Sequence, residues 1–137
     1  MKLTDYKFNK VSDSRGELIS IENNMLSFEM KRVYLLKKLK TDLPRGFHAH
    51  KKLKQIIFCI QGECSLILDD GQTKSEILLN DNQNGILIDR MIWHEMLNFT
   101  DDCILMVLAD DVYNESDYIR NYEEFLKELK SIESKIL

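Results

Sequence analysis

Pro44-Arg45-Gly46-Phe47-His48-Ala49-His50-Lys51, followed by Gln55 and Gly62, is the stretch on which the reading of the whole chain turns. The chain has three histidines, and two of them stand here, separated by a single alanine. In an extended strand the side chains at i and i+2 point to the same face, so His48 and His50 are expected side by side. Imidazoles with ordinary pKa values near 6.5 can exchange protons at neutral pH or ligate a metal. Pro44, the chain's one proline, holds the approach to them extended.

Working outward, Gln55-Ile56-Ile57-Phe58-Cys59-Ile60 is almost wholly apolar and fits a strand buried on both faces. Gln61-Gly62-Glu63 reads as a turn and 64–68 as the next strand. Asp69-Asp70-Gly71-Gln72 then closes a hairpin, because Asp-Gly suits the primed turn types. Further strands are expected at 73–79, 86–88, 91–99 and 103–109, with a dense turn cluster at Asp81-Asn82-Gln83-Asn84-Gly85. Upstream, the turn Asp13-Ser14-Arg15-Gly16 leads into a half-buried strand at 17–22. A strand at 31–39 sets Arg32, Tyr34 and Leu36 on one face and Val33 and Leu35 on the other. Short strands at this spacing define an all-β antiparallel sandwich or barrel. The tail differs: Tyr118, Tyr122, Phe125, Leu126, Leu129, Ile132 and Ile136 fall at helical spacing, which predicts a helix over about 117–135 packed on the barrel exterior.

At 137 residues the chain is expected to be one domain, 1–137, with its barrel over about 11–112. A hydrophobic fraction of 44% with 31% charged residues belongs to a folded globular protein and not to a disordered tail. The net charge of −4 gives no basic surface for nucleic acid. No run approaches the roughly 18 apolar residues of a membrane span. The polar first ten residues lack a signal peptide's apolar region, so the expected location is cytoplasmic. Cys59, Cys64 and Cys103 form no CxxC pair and are expected as small buried hydrophobes.

Gly46-x-His48-x-His50-x4-Gln55-x6-Gly62 resembles the first signature of the cupin, or double-stranded β-helix, barrels, with glutamine where they carry glutamate. The second signature resembles the run that starts at Gly85, with Met91 for the usual proline, Trp93 for the glycine and Met96 for the metal-binding histidine. His94 stands two positions before Met96 and would share its face. His50 and Gln55 are an odd number of residues apart, so a bend or bulge is expected between them. An amide and a thioether at two of four ligand positions suit a divalent cation poorly, and the expectation is a site with no metal and no cofactor.

The ordered set Arg45-Gly46-Phe47-His48-Ala49-His50-Lys51, Leu68-Asp69-Asp70-Gly71, Trp93-His94-Glu95-Met96, Leu105-Met106-Val107-Leu108-Ala109-Asp110 and Asp117-Tyr118-Ile119-Arg120-Asn121-Tyr122 closely resembles the sugar 3,4-ketoisomerases that act on dTDP-4-dehydro-6-deoxyglucose. The resemblance runs from about Val11 to Leu126. It implies a small dimeric cupin that feeds the synthesis of 3-amino-3,6-dideoxyhexoses for surface glycans such as O-antigens. Moving a ketone from C4 to C3 requires a base for the C3 proton and a donor for the developing enolate. His50 is assigned here as the base, His48 as its acid or relay partner, and Tyr34 as the group that polarises the ketone oxygen. Arg45, Lys51 and Arg32 are the candidates for the diphosphate, arginine being shaped for bidentate phosphate contacts. Gln55 joins the substrate-contacting set, and Trp93 either stacks on the base or fills core. Arg15 and His94 resemble the branch that gives the galacto-configured product.

Three rival readings follow from the same residues. A cupin epimerase acting on a related 4-keto sugar would use a His–Asp pair. A non-catalytic sugar-nucleotide-binding cupin would keep affinity without His48 and His50. A metal-dependent cupin dioxygenase would carry an ion.

Overall fold

The computed structural model describes residues 1–81 and 84–136. Its strands are β1 (Asp5–Lys7), β2 (Asn9–Asp13), β3 (Gly16–Ser20), β4 (Arg32–Leu36), β5 (Arg45–His50), β6 (Gln55–Gln61), β7 (Glu63–Asp69), β8 (Lys74–Asn80), β9 (Asn84–Ile88), β10 (Trp93–Leu97), β11 (Ile104–Ala109) and β12 (Tyr118–Ile119). One helix, α1, spans Tyr122–Ile136. Two five-stranded antiparallel sheets, ordered β1-β9-β6-β11-β4 and β12-β5-β10-β7-β8, face each other, and β2-β3 forms a separate hairpin. This is the expected all-β jelly-roll barrel with a C-terminal helix.

Alternating side chains divide the core into three layers. Between the sheets lie Ile57, Cys59, Leu66, Leu68, Leu105 and Val107, all at most 2% exposed. The outer face of the first sheet, carrying Ile56, Phe58 and Leu108, is covered by the N-terminal segment through Phe8, Ile19, Ile21 and Phe28. The outer face of the second sheet buries Ala49, Trp93 and Ile119 under Phe125 of α1. Strand β6 is therefore buried on both faces, as its unbroken apolar run requires. All three cysteines are buried and unpaired.

The starts of the barrel and of the helix differ from expectation. The barrel begins before residue 11, because β1 pairs with β9. The helix starts at Tyr122, since Tyr118 and Ile119 are extended and pair with His50 and Ala49. Between His50 and Gln55 the chain bends at 51–52 and changes sheets, which is the bend their odd spacing calls for. Of the turn cluster expected at 81–85, Asn82 and Gln83 lie outside the described residues. The Asp70-Gly71 hairpin is present, with Asp70 Oδ1 accepting from the amides of Gln72 and Thr73 and Gly71 at φ +92°.

Candidate active site

The histidines are brought together by strand pairing. On β5 the backbone at Gly46 and Phe47 takes positive φ values of 92° and 59°, and the register against β10 shifts between His94 and Glu95. A Cβ on Gly46 would lie 2.8 Å from the carbonyl oxygen of His94, so only glycine passes here. Beyond this bulge His48 sits directly opposite His94, and His50 opposite Tyr118. The ring centroids of His48 are 4.5 Å from His94, 5.0 Å from His50 and 4.9 Å from Tyr118. His48 and His50 are thus neighbours on one face, as the i, i+2 spacing predicts.

His48 and His94 border one end of a cleft of about 410 Å³. His48, His94 and Met96 line it from the second sheet, and Tyr34 and Arg32 line it from the first. Arg45, Tyr113, Tyr118 and Arg120 complete its walls. His50 does not line this cleft. It lies behind His48, is 2% exposed, and borders a second cavity with Asp117. His48 faces the cleft and His50 stands behind it.

Each imidazole has its Nδ1 on an oxygen: His48 on the Gly46 carbonyl at 3.0 Å, His94 on the Ile92 carbonyl at 3.3 Å, and His50 on Asp117 Oδ2 at 3.2 Å. Carbonyl and carboxylate oxygens only accept, so Nδ1 carries the proton and Nε2 the lone pair in all three. Burial, reinforced by neighbouring His50, holds His48 down at about 4. Burial and then His48 hold His94 at about 3. Burial also lowers His50, against the pull of Asp117. The cluster is neutral at pH 7. One ring nitrogen from each of the three lies within 4.8 Å of the others, an arrangement that could also hold a metal ion.

Tyr34 is pushed up to about 12, chiefly by burial, and so remains a proton donor. Gln55, 1% exposed, donates its Nε2 to the Tyr34 hydroxyl at 2.7 Å. That contact occupies a lone pair on the phenol and leaves its O–H for the cleft. The glutamine thus serves the tyrosine, where a metal cupin's carboxylate would serve an ion. Arg32 has its guanidinium carbon 5.1 Å from the Tyr34 ring centroid.

Of the two alternatives for Trp93 the structure shows the core one, and two expected contacts, of Lys51 and Arg15, are not formed within this chain. Trp93 points to the opposite face from His94; it is 4% exposed, donates to Glu95 Oε2 at 2.9 Å and packs on Tyr122 and Phe125. It fills core, as the alternation along β10 demands. Lys51 lies past the end of β5 and lines a groove beside α1, not the cleft. Arg15 sits at the tip of the β2-β3 hairpin with its side chain 89% exposed, paired to Asp13 at 2.6 Å. Conversely, Tyr118 and Arg120 line the cleft and Asp117 holds His50, although the helical spacing puts all three inside the helix predicted over about 117–135. Arg120 lies over the Tyr118 ring at 4.1 Å and pairs with Glu115 at 2.8 Å.

The fold is a cupin-type barrel, with a histidine cluster, a tyrosine donor and three arginines at one cleft. Comparison with known proteins narrows this to a family. Residues 1–130 match the family model "FdtA: WxcM-like, C-terminal". The chain is 48% identical, over 126 residues and 91% of each chain, to a TDP-4-oxo-6-deoxy-alpha-D-glucose-3,4-oxoisomerase of Aneurinibacillus thermoaerophilus. It resembles the crystal structure of a 3,4-ketoisomerase from Helicobacter canadensis with TM-score 0.90 and 42% identity, over 95% of this chain and 98% of that one. The 3,4-ketoisomerase QdtA of Thermoanaerobacterium thermosaccharolyticum also matches at TM-score 0.90. Its histidine-to-asparagine variant, in complex with TDP-4-keto-6-deoxyglucose, is 38% identical over 94% of each chain. A double variant of the same enzyme, with a tyrosine changed to arginine and an arginine to histidine, was solved with TDP. The chain belongs to the FdtA family of 3,4-ketoisomerases, and it is an isomerase.

Proposed function

We propose that the protein converts dTDP-4-dehydro-6-deoxy-D-glucose to dTDP-3-dehydro-6-deoxy-D-galactose, with His48 as the proton-transferring base. The observation that carries this reading is the placement of a neutral His48 and a donating Tyr34 on opposite walls of one cleft lined by Arg32, Arg45 and Arg120. The C3–H proton passes to Nε2 of His48, and its electron pair forms the C3=C4 bond as the C4 carbonyl becomes an enediolate oxygen. Tyr34 supplies the hydrogen bond that this oxygen needs. Collapse in the other sense turns the C3 hydroxyl into a ketone, its proton passes to the C4 oxygen, and the imidazolium protonates C4. Burial makes a protonated His48 a better proton donor than an ordinary imidazolium. Supporting the choice of His48 over His50, the histidine and the arginine exchanged in the two Thermoanaerobacterium variants are as far apart along that chain as His48 and His94 are here.

The arginines of the cleft suit a diphosphate. The galacto configuration rests on the resemblance of Arg15 and His94 to the galacto-forming branch, with His94 lining the cleft. We further infer a homodimer, supported by the outward apolar side chains of Val11, Leu18, Val33 and Leu35, each 49% exposed or more. An Arg15 that reaches the sugar would then come from the second copy. No helix among the described residues is long and apolar enough to cross a membrane, and three unpaired thiols suit a reducing cytoplasm. A 3-keto product of this kind is the substrate an aminotransferase needs for a 3-amino-3,6-dideoxyhexose of a surface glycan. Incubation with dTDP-4-dehydro-6-deoxyglucose, followed by carbon NMR, should show the carbonyl signal move from C4 to C3 with galacto coupling constants; an unchanged 4-keto sugar would contradict the reading.

The His–Asp pair expected of an epimerase does occur, between His50 and Asp117, but behind the cleft and not at its wall. It therefore gives no support to that rival.

A further inference from the structure

His50 stands between the cleft and a second cavity of about 250 Å³, whose walls include Lys52, Asp110, Val112 and Asp117. Its Nε2 is buried without a hydrogen-bond partner, and its ring lies 5.0 Å from that of His48. Its Nδ1 donates to Asp117 Oδ2. The carboxylate cannot swing away from that contact: Oδ1 accepts from the amide of Lys52 at 2.9 Å and Oδ2 from the amide of Leu53 at 3.2 Å. The backbone of Asp117 also accepts from Lys51 at 3.0 Å, so both ends of the residue are tied to the β5–β6 turn. The histidine is thus held in one orientation and one tautomer by a group that still exposes 13% of its side chain.

We propose that His50 and Asp117 form a proton relay connecting His48 to the second cavity, with Asp117 as its positioning residue. The relay rests on the reading of His48 given above. Protonated His48 passes its Nε2 proton to Nε2 of His50. His50 releases its Nδ1 proton to the Asp117 carboxylate, which passes it to solvent in the cavity. Only N–H and O–H bonds are exchanged, nothing is oxidised, and the reverse sequence resets each group. The hydrogen taken from C3 therefore mixes with solvent even while the sugar nucleotide fills the cleft. An unpartnered, buried lone pair beside a neighbouring imidazole has a use in this arrangement, where otherwise it would cost stability for nothing.

The test uses the intact enzyme and substrate deuterated at C3, in ordinary water, through a single turnover. Native enzyme should form the 3-keto product with most of the deuterium lost from C4. Asp117→Asn keeps the size of the side chain but turns an amide N–H toward His50, which favours the opposite tautomer. Deuterium retention at C4 should rise several-fold, and long-range proton–nitrogen NMR should show the His50 proton move from Nδ1 to Nε2. Val112→Phe, at an exposed wall of the second cavity, should also raise retention while leaving KM unchanged. Native product that keeps its deuterium, or an Asp117→Asn enzyme that loses it as fully as native, overturns the relay. A native His50 protonated on Nε2 overturns it whatever the reaction. Absence of any 3-keto product instead overturns the assignment of the reaction, a result the NMR tautomer reading keeps separate.

Discussion

Gln55 donates to the hydroxyl of Tyr34 at 2.7 Å across the intervening strand β11, from the position where metal-binding cupins carry a carboxylate. An amide can hold the phenol as an acceptor and free its proton for substrate; a carboxylate would take that proton for itself. Gln55→Glu should therefore lower kcat by about 100-fold, the cost of one donor to a developing oxyanion, with little change in KM. Tyr34→Phe should do the same, and the double variant should be no worse than either, because both remove one contact. Steady-state kinetics on the three variants checks this.

Stability should fall with acid through the histidines. His48 and His94 are held at about 4 and about 3 in the folded protein, below the ordinary value of 6.5. Protons therefore bind the unfolded chain first, and each unit of separation is worth about 1.4 kcal/mol. The contribution is intact above pH 6.5 and is lost progressively as the pH falls toward 4 and 3. The Tm should drop between pH 7 and pH 4.5, and His94→Asn should flatten that drop. A pH series of thermal unfolding curves measures it.

Trp93 and Arg45 should separate cleanly into stability and binding. Trp93→Ala removes a 4% exposed indole from beneath α1 and should destabilise by about 3–5 kcal/mol, read as a lower urea midpoint. Arg45→Ala, an exposed residue at the cleft, should leave the midpoint unchanged and raise KM about tenfold or more.

Much of this was legible in the chain itself. Period-two alternation placed Tyr34 with Arg32 on one face and His94 with Met96 on another, and the structure keeps both pairs at the cleft. The apolar run from Gln55 correctly signalled a strand buried on both sides. What escaped was local and non-periodic. The bulge at Gly46 and Phe47 depends on close approach to the His94 carbonyl, which only the folded pairing reveals. Tyr118 falls in phase with the helix that follows, so helical spacing absorbed a two-residue strand that delivers Asp117, Tyr118 and Arg120. Lys51 shared the motif but not its strand, and Trp93 shared the strand but not its inner face.

The thiols of Cys59, Cys64 and Cys103 should be inert in the folded protein. Burial pushes each up to about 12, and all are 1% exposed or less. A disulfide thiol reagent at pH 8 should label none of them until denaturant is added, when all three react. Rapid labelling of native enzyme would show that the core opens.

The most direct test of the account compares native enzyme and His48→Asn in heavy water with dTDP-4-dehydro-6-deoxyglucose, followed by proton NMR. Native enzyme should build up a 3-keto sugar carrying deuterium at C4, and the His48→Asn enzyme should bind the nucleotide yet exchange no carbon-bound hydrogen. Turnover of the variant at the native rate, or deuterium appearing at C3 and C5 without a 3-keto product, would contradict it.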